Sequence, residues 1–230
     1  INRLLELTKP VATAVVPISA GRHIYKREPS FPIAVACDPA FNFVYEANIR
    51  YLHHLGEVTY FSPLADTSLP DAGFVYLPGG YPELYLAALS ANRQMLQSIR
   101  RYVESGGKLL AECGGMMYLC DEIRDKNGDV YPMAGVLHQS ATMENMKLRL
   151  GYRTLLYNET RLKGHEFHYS RLVEQQNPLP SCAVAYTAKG VETDTPLYHY
   201  KNVWAGYTHL YWADPVGNEW FTKFVIDGNT

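Results

Sequence analysis

Two residues in this chain carry the strongest chemical signal: Cys113, in "KLLAECGGMMYLC", and His209, in "GYTHLYW". A thiol acts as a nucleophile when a base can take its proton and N–H groups can hold the oxyanion its attack creates. Cys113 stands where the short apolar run "KLLAE" gives way to a helix-like stretch, and Gly114 and Gly115 follow at once. A sharp strand–nucleophile–helix turn crowds the residues after the bend, which glycine relieves, and it aims bare backbone N–H groups at the space above the side chain. The helix N-terminus under the sulfur is expected to favour thiolate and lower the thiol's pKa. The rival reading is a packed core cysteine, since free cysteines are among the most buried residues. A packed thiol, however, has no need of two glycines.

A second pair, Gly79–Gly80 in "YLPGGYPE", ends another strand, and its N–H groups could face Cys113 across the sheet. Standing alone, such a pair is equally well a simple turn. Eight histidines compete for the role of base. His53 and His54 fall on a helix, His23 in a turn-rich linker, and His138 and His199 outside any motif. Three stand out: His165 and His168 in "GHEFHYS", and His209. The last occupies the end of a late strand, as the distant partner of a thiol should, with a packed or surface histidine as the plain alternative.

These residues need a scaffold, and the periodicity supplies one. "PIAVACD" (32–38), "EVTYFSPL" (57–64), "GFVYLPGG" (73–80) and "KLLAE" read as buried parallel strands. Between them, "NFVYEANIRYLHHLG" and "YPELYLAALSANRQMLQSIRRYVESGG" read as helices, with Pro82 near a helix start and glycines at the ends. This alternation predicts an α/β fold of the flavodoxin-like, doubly wound, mostly parallel kind, where ligands sit at the carboxyl ends of the strands. The second half adds strands with little helix: "YPMAGVL", "LRLGYRTLLY", "GHEFHYSRLV", "SCAVAYTA" and "NVWAGYTHLYW". The stretch "VGNEWFTKFVI" closes as a helix.

Composition narrows the function classes. A net charge of −2 over 230 residues gives no electrostatic reason for nucleic acid or an anionic membrane as partner. No apolar run is long enough to span a bilayer, and the N-terminal "INRLLELTKPVATAVV" lacks the order of a signal peptide. The four cysteines form no CxxC pair and no Cys/His cluster with metal spacing, so the expectation is no disulfide framework, no metal and a cytoplasmic location. The chain does not begin with Met, and "INRLLELTK" reads as a helix left over from something that precedes it.

Taken together and in order, "LPGGYPELY", "AECGGMMYL", "GHEFHYS" and "YTHL" resemble the motifs of the cobyrinic acid a,c-diamide synthase family. "IAVACDPAFNFVYEANIRYLHHLG" and "FSPLAD" resemble the segments before them, so the likeness covers about residues 31–225. That family is a two-domain amidotransferase with an ATP-binding synthetase half of the dethiobiotin-synthetase type and a class I-like glutamine amidotransferase half. This chain resembles the second half. It holds no GxxxxGK[ST] loop, its one Gly-Lys being followed by Leu109.

The resemblance implies a connector over residues 1–30, belonging to a missing synthetase domain that would use ATP and magnesium, and an amidotransferase domain over residues 31–230 with no cofactor of its own. It implies Cys113 as nucleophile, His209 as its partner, and Gly80 and Gly114 as oxyanion-hole donors. Gly79, Tyr81, His168 and Tyr169 would lie against glutamine. The implied partners are glutamine, the synthetase domain and a corrinoid acid acceptor. Relatives amidate hydrogenobyrinic acid, nickel-sirohydrochlorin, cobyric acid or a cell-wall precursor, and a non-catalytic docking domain would keep the fold alone. One departure concerns orientation: class I amidotransferases carry an acidic residue two positions after the histidine, where this chain has Tyr211, so what aims the imidazole is open.

Overall fold

The computed structural model describes residues 31–176 and 178–227. The connector expected over residues 1–30 lies outside them. Strands β1 (Phe31–Ala36), β2 (Gly56–Phe61), β3 (Phe74–Leu77), β4 (Lys108–Glu112), β13 (Leu197–Tyr200) and β14 (Val203–Gly206) form the central sheet in the order β13-β14-β4-β3-β1-β2. All neighbours are parallel except the β13 edge. Without that edge the order is the flavodoxin-like doubly wound one, as expected from the alternation of elements. Strands β3 and β4 are apolar throughout their centres because both faces of the sheet are covered.

Side chains alternate across this sheet and feed two cores. On one face Ala34, Val75, Leu77, Leu109 and Ala111 meet Met95, Ile99 and Val103. Those last three recur one helical turn apart on α3 (Arg93–Glu104), giving it a single apolar stripe. On the other face Ile33, Phe74, Tyr76, Leu110 and Trp204 meet Trp212, Trp220 and Phe221. Helix α1 (Glu46–Leu55) follows β1 and buries Asn48 and Leu52.

The single helix expected over residues 81–107 is three pieces: a 3-10 turn (Pro82–Leu84), α2 (Leu86–Ala91) and α3. Asn92 makes the second break. Its side chain caps α3 by accepting from the Met95 N–H at 3.4 Å, while its amide donates to Pro63 O and Asp66 O, both at 2.8 Å. A residue that forms caps better than it extends helices therefore interrupts the stripe.

The second half is mostly antiparallel, with one large departure from expectation. Strands β8 (Arg149–Tyr157), β9 (Thr160–His168), β11 (Val184–Thr187), β12 (Glu192–Thr193) and β15 (His209–Leu210) make a five-stranded sheet ordered β12-β11-β8-β9-β15. "NVWAGYTHLYW" reads as one strand but is two, β14 and β15, in different sheets. The chain leaves the central sheet after Gly206 and joins β9 three residues later, at His209.

A small sheet of β5 (Glu122–Arg124), β6 (Val130–Pro132), β7 (Ser140–Thr142) and β10 (Arg171–Leu172) completes the strands. "YPMAGVL" contributes only its start to β6. The N–H groups of Met133, Ala134, Gly135 and Val136 instead bond back to Asp121, Tyr118, Cys120 and Leu119, wrapping the end of α4 (Gly114–Leu119). The closing helix α5 (Pro215–Thr222) is capped by Asp214, which accepts from the Gly217 N–H at 2.7 Å, and passes into a π-helical turn, Lys223–Asp227.

Helix α4 sits so close to the end of β3 that a Cβ on Gly115 would lie 2.1 Å from the Leu77 carbonyl oxygen. Gly115→Ala must push the helix off the sheet. The expected cost is about 1–3 kcal/mol, read as a lower urea midpoint with unchanged slope; a midpoint equal to that of the parent chain contradicts this packing.

Candidate active site

Cys113 has φ 49 and ψ −106 between β4 and α4, a conformation L-residues adopt rarely. Bonds on both sides impose it. The Cys113 N–H donates to Gly206 O at 2.8 Å, continuing the ladder to β14, and its carbonyl accepts from the Met117 N–H at 3.0 Å, starting the helix. The side chain is buried, yet it is not sealed among aliphatic groups. It borders a cleft of about 20 Å³ lined by Gly80, Tyr81, Glu83, Met117, Phe167, His168, Tyr169 and Ser170. That space admits about one water, so the resting cleft is narrower than an amino acid. The thiol lies 3.8 Å from Phe167 O, to which it donates.

The expected donors converge here. The Gly114 N–H bonds toward the sulfur. A Cβ on Gly114 would lie 3.2 Å from Gly80 N, so the two glycines pack directly against each other beside the elbow. Tyr81, His168 and Tyr169 line the same cleft. Gly79 is one step away and does a different job. A Cβ there would lie 2.1 Å from Cε1 of His209, so glycine leaves room for the imidazole.

His209 is held near the elbow through its backbone. Gly206, three residues before it, is bonded to Cys113, and Leu210, just after it, donates its N–H to Glu112 Oε1 at 3.0 Å. The cleft beside the thiol is not lined by the His209 ring, and no hydrogen bond links Cys113 to His209 among the described residues. The ring packs against Gly79 and the Phe43 ring, with centroids 4.3 Å apart, and no protein group bonds its Nδ1. The structure thus answers the question of orientation with packing in place of a carboxylate. Tyr211 turns its ring edge to Tyr45, 5.7 Å away, and makes no bond to the imidazole.

Electrostatics overturn one sequence expectation. The Cys113 thiol is pushed up to about 12, first by burial and then by the Glu83 carboxylate, with Glu112 and Glu166 adding to it and the Gly114 N–H opposing it. The end of a six-residue helix does not outweigh burial next to the Glu83 carboxylate. His209 is pushed down to about 3 by burial and by its neighbours His165 and His168. In the resting site both members of the pair are therefore uncharged, a thiol and a neutral imidazole.

Sequence reading missed several residues that build this site. Glu112, immediately before the nucleophile, is fully buried; it accepts from the Tyr76 hydroxyl at 2.7 Å and from the Leu210 N–H, tying β4 to the strand of His209. A carboxylate at the end of the apolar run "KLLAE" was the signal. Asn48 donates to Leu210 O at 2.8 Å and accepts from the Trp212 N–H at 2.9 Å, and nothing in its helical context announced it.

The motif "GHEFHYS" gains a physical role. Buried Glu166 binds Arg153 at 2.6 Å, His168 at 3.2 Å and the Thr195 hydroxyl at 3.0 Å. Burial alone would raise its pKa, but these partners together lower it. The other His168 nitrogen donates to Ser170 O at 2.8 Å, and the ring stacks on Tyr207 at 3.7 Å. His168 is therefore locked, and it fixes the strand whose Phe167 carbonyl touches the sulfur. Among the described residues no group of three or more His, Cys, Asp or Glu is arranged to hold a metal ion.

A strained cysteine thus ends a parallel strand of a doubly wound sheet, with Gly80 and Gly114 beside it and the His209 imidazole brought close by a strand of the second sheet. The chain belongs to the CobB/CobQ-like glutamine amidotransferase domain family, whose model matches residues 32–216. It is 40% identical over 185 residues to hydrogenobyrinate a,c-diamide synthase of Pseudomonas aeruginosa, covering 78% of this chain and 41% of that protein. Cobyrinate a,c-diamide synthase of Fusobacterium nucleatum is 40% identical over 188 residues, with the same coverage of each. The chain thus spans less than half the length of these curated relatives.

Among solved structures, PurLQS from Thermotoga maritima shares the fold with a TM-score of 0.54 at 16% identity, covering 86% of this chain and 96% of that one. A glutamine amidotransferase from the same organism does so with a TM-score of 0.51 at 12% identity, covering 86% of this chain and 83% of that one.

The Glu112 carboxyl is raised to about 8 by burial, against the lowering effects of Tyr76 and Leu210. An acid whose folded pKa lies above its unfolded value binds more protons when folded, so its contribution to stability declines as pH rises from about 4.5 towards 8. Glu112→Gln keeps an acceptor for Leu210 and removes the titration. The expected result is a flatter stability-versus-pH curve over that window, measured by urea unfolding; an unchanged slope contradicts the assignment.

Proposed function

We propose that this chain is the glutaminase part of an ATP-dependent amidotransferase, supplying ammonia for the amidation of the a and c side-chain carboxylates of cobyrinic or hydrogenobyrinic acid. The observation that carries the chemistry is the strained Cys113 elbow with Gly80 and Gly114 packed together beside it. The acceptor is inferred from the relatives named for those corrin acids. Residues 31–230 form the amidotransferase domain in this reading. Residues 1–30 lead to a synthetase domain that binds ATP with magnesium and activates the acceptor carboxylate.

His209 takes the thiol proton as the Cys113 sulfur attacks the side-chain amide carbon of glutamine. The new S–C bond places the negative charge on the former carbonyl oxygen, held by the Gly80 and Gly114 N–H groups. One such donor contributes about 2.7–4 kcal/mol in comparable sites. Collapse of this intermediate breaks the C–N bond, and His209 returns the proton to the leaving ammonia. Water then attacks the thioester with His209 as base, releasing glutamate and the thiol. Gly79, Tyr81, His168 and Tyr169 position the amino acid in the widened cleft.

Glutamate release from glutamine tests the reading. Cys113→Ala is expected to reduce it to background with an unchanged thermal midpoint, and His209→Asn to lower kcat by about 10²–10⁴-fold. Turnover surviving in Cys113→Ala removes the nucleophile assignment.

A further inference from the structure

The cleft in front of the sulfur contains a carboxylate that thiol chemistry does not call for. Glu83 lies on the 3-10 turn Pro82–Leu84, and that turn is seated on the elbow, since a Cβ on Gly114 would come within 2.7 Å of the Pro82 ring. The turn is closed by its own bonds, Leu84 N–H to Tyr81 O at 3.1 Å and Tyr85 N–H to Pro82 O at 2.9 Å, so the Glu83 backbone is fixed. With Gly80 and Tyr81 on one side and Phe167, His168 and Tyr169 on the other, its side chain helps wall the nucleophile's space.

Such a carboxylate works against the reaction by opposing ionisation of the thiol. The other charged or titratable groups around the sulfur are Tyr81, Glu112 from β4, Glu166 and His168 from β9, Tyr169, and Tyr207 from the β14–β15 crossing. Glu112 and Glu166 have their own partners, Tyr76 and Leu210 for the first, Arg153, His168 and Thr195 for the second. Glu83 has none of this kind: among the described residues only its own backbone N–H bonds it, and burial raises its pKa. Half-buried and without an internal cation, it is set up to receive one from outside. Glutamine brings such a cation, an α-ammonium group one short alkyl arm from the amide that reacts.

We propose that Glu83 receives the α-ammonium of glutamine, and that this pairing neutralises the carboxylate and so frees Cys113 to ionise. The inference rests on the glutaminase reading and adds to it a residue that binds the amino acid and couples binding to activation. The thiol is quiet while the cleft is empty, and amides that lack the α-amino group bind poorly and do not switch it on.

The test uses the full chain, with glutamine and its deaminated analogue glutaramate as substrates, and iodoacetamide labelling of Cys113 followed by peptide mass spectrometry. In E83Q, KM for glutamine is expected to rise on the order of 10–100-fold, the value of one charge-assisted bond, with kcat changed far less. Without glutamine, labelling of Cys113 in E83Q should be faster than in the parent at equal pH. E83D should recover part of the affinity. The parent should prefer glutamine to glutaramate, and E83Q should lose that preference.

A purely structural role for Glu83 predicts no faster labelling and no loss of discrimination, and that result overturns the proposal. Parent turnover of glutamine with an unchanged KM in E83Q also overturns it, leaving the glutaminase reading intact. A parent chain that releases no glutamate overturns that reading, and this proposal with it.

Discussion

The structure depends on one backbone bend. Holding a non-glycine residue at the dihedrals of Cys113 costs about 1–3 kcal/mol, and the fold must over-determine it. The β14 strand takes the Cys113 N–H, helix α4 takes its carbonyl, and Gly115 lets that helix come down on the end of β3. The strain is therefore spread into the central sheet, where parallel strands covered on both faces are hardest to deform. The result is a sulfur held in the cleft beside the Phe167 carbonyl, with little freedom to turn away.

Around that bend the site is assembled by crossings between sheets. β14 belongs to the central sheet and β15 to the antiparallel one, so His209 reaches the elbow only because the chain changes sheets between them. Glu112 and β9 then fix it from two directions. A buried ion pair inside the second sheet, Glu166 with Arg153, holds the strand that presents Phe167 to the thiol. Such pairs contribute little net stability but are costly to break, which suits a part whose task is position.

Local patterns in the sequence revealed the parallel strands, the elbow and its glycines. "FVYL" and "KLLAE" are continuous apolar runs, and cysteine before two glycines leaves few geometries. Properties set by tertiary context were hidden. The split of "NVWAGYTHLYW" depends on which strands compete for its two ends, and no residue within it marks the break. The helix broken at Asn92 shows a cap overriding an otherwise unbroken stripe. The thiol's electrostatics failed for the same reason: a helix N-terminus is visible in sequence, whereas burial beside Glu83 and Glu166 is not.

Asn48 carries a consequence of its own. Its single amide group serves a carbonyl and an N–H on either side of Tyr211, one by donating and the other by accepting. No other common side chain of that size offers both at once: aspartate would set a negative oxygen against the Leu210 carbonyl, and leucine would strand two polar groups out of reach of water. Helix α1 and the segment bearing the imidazole are thereby riveted into one mechanical body, so a load applied to the outer surface of that helix is felt at the His209 ring.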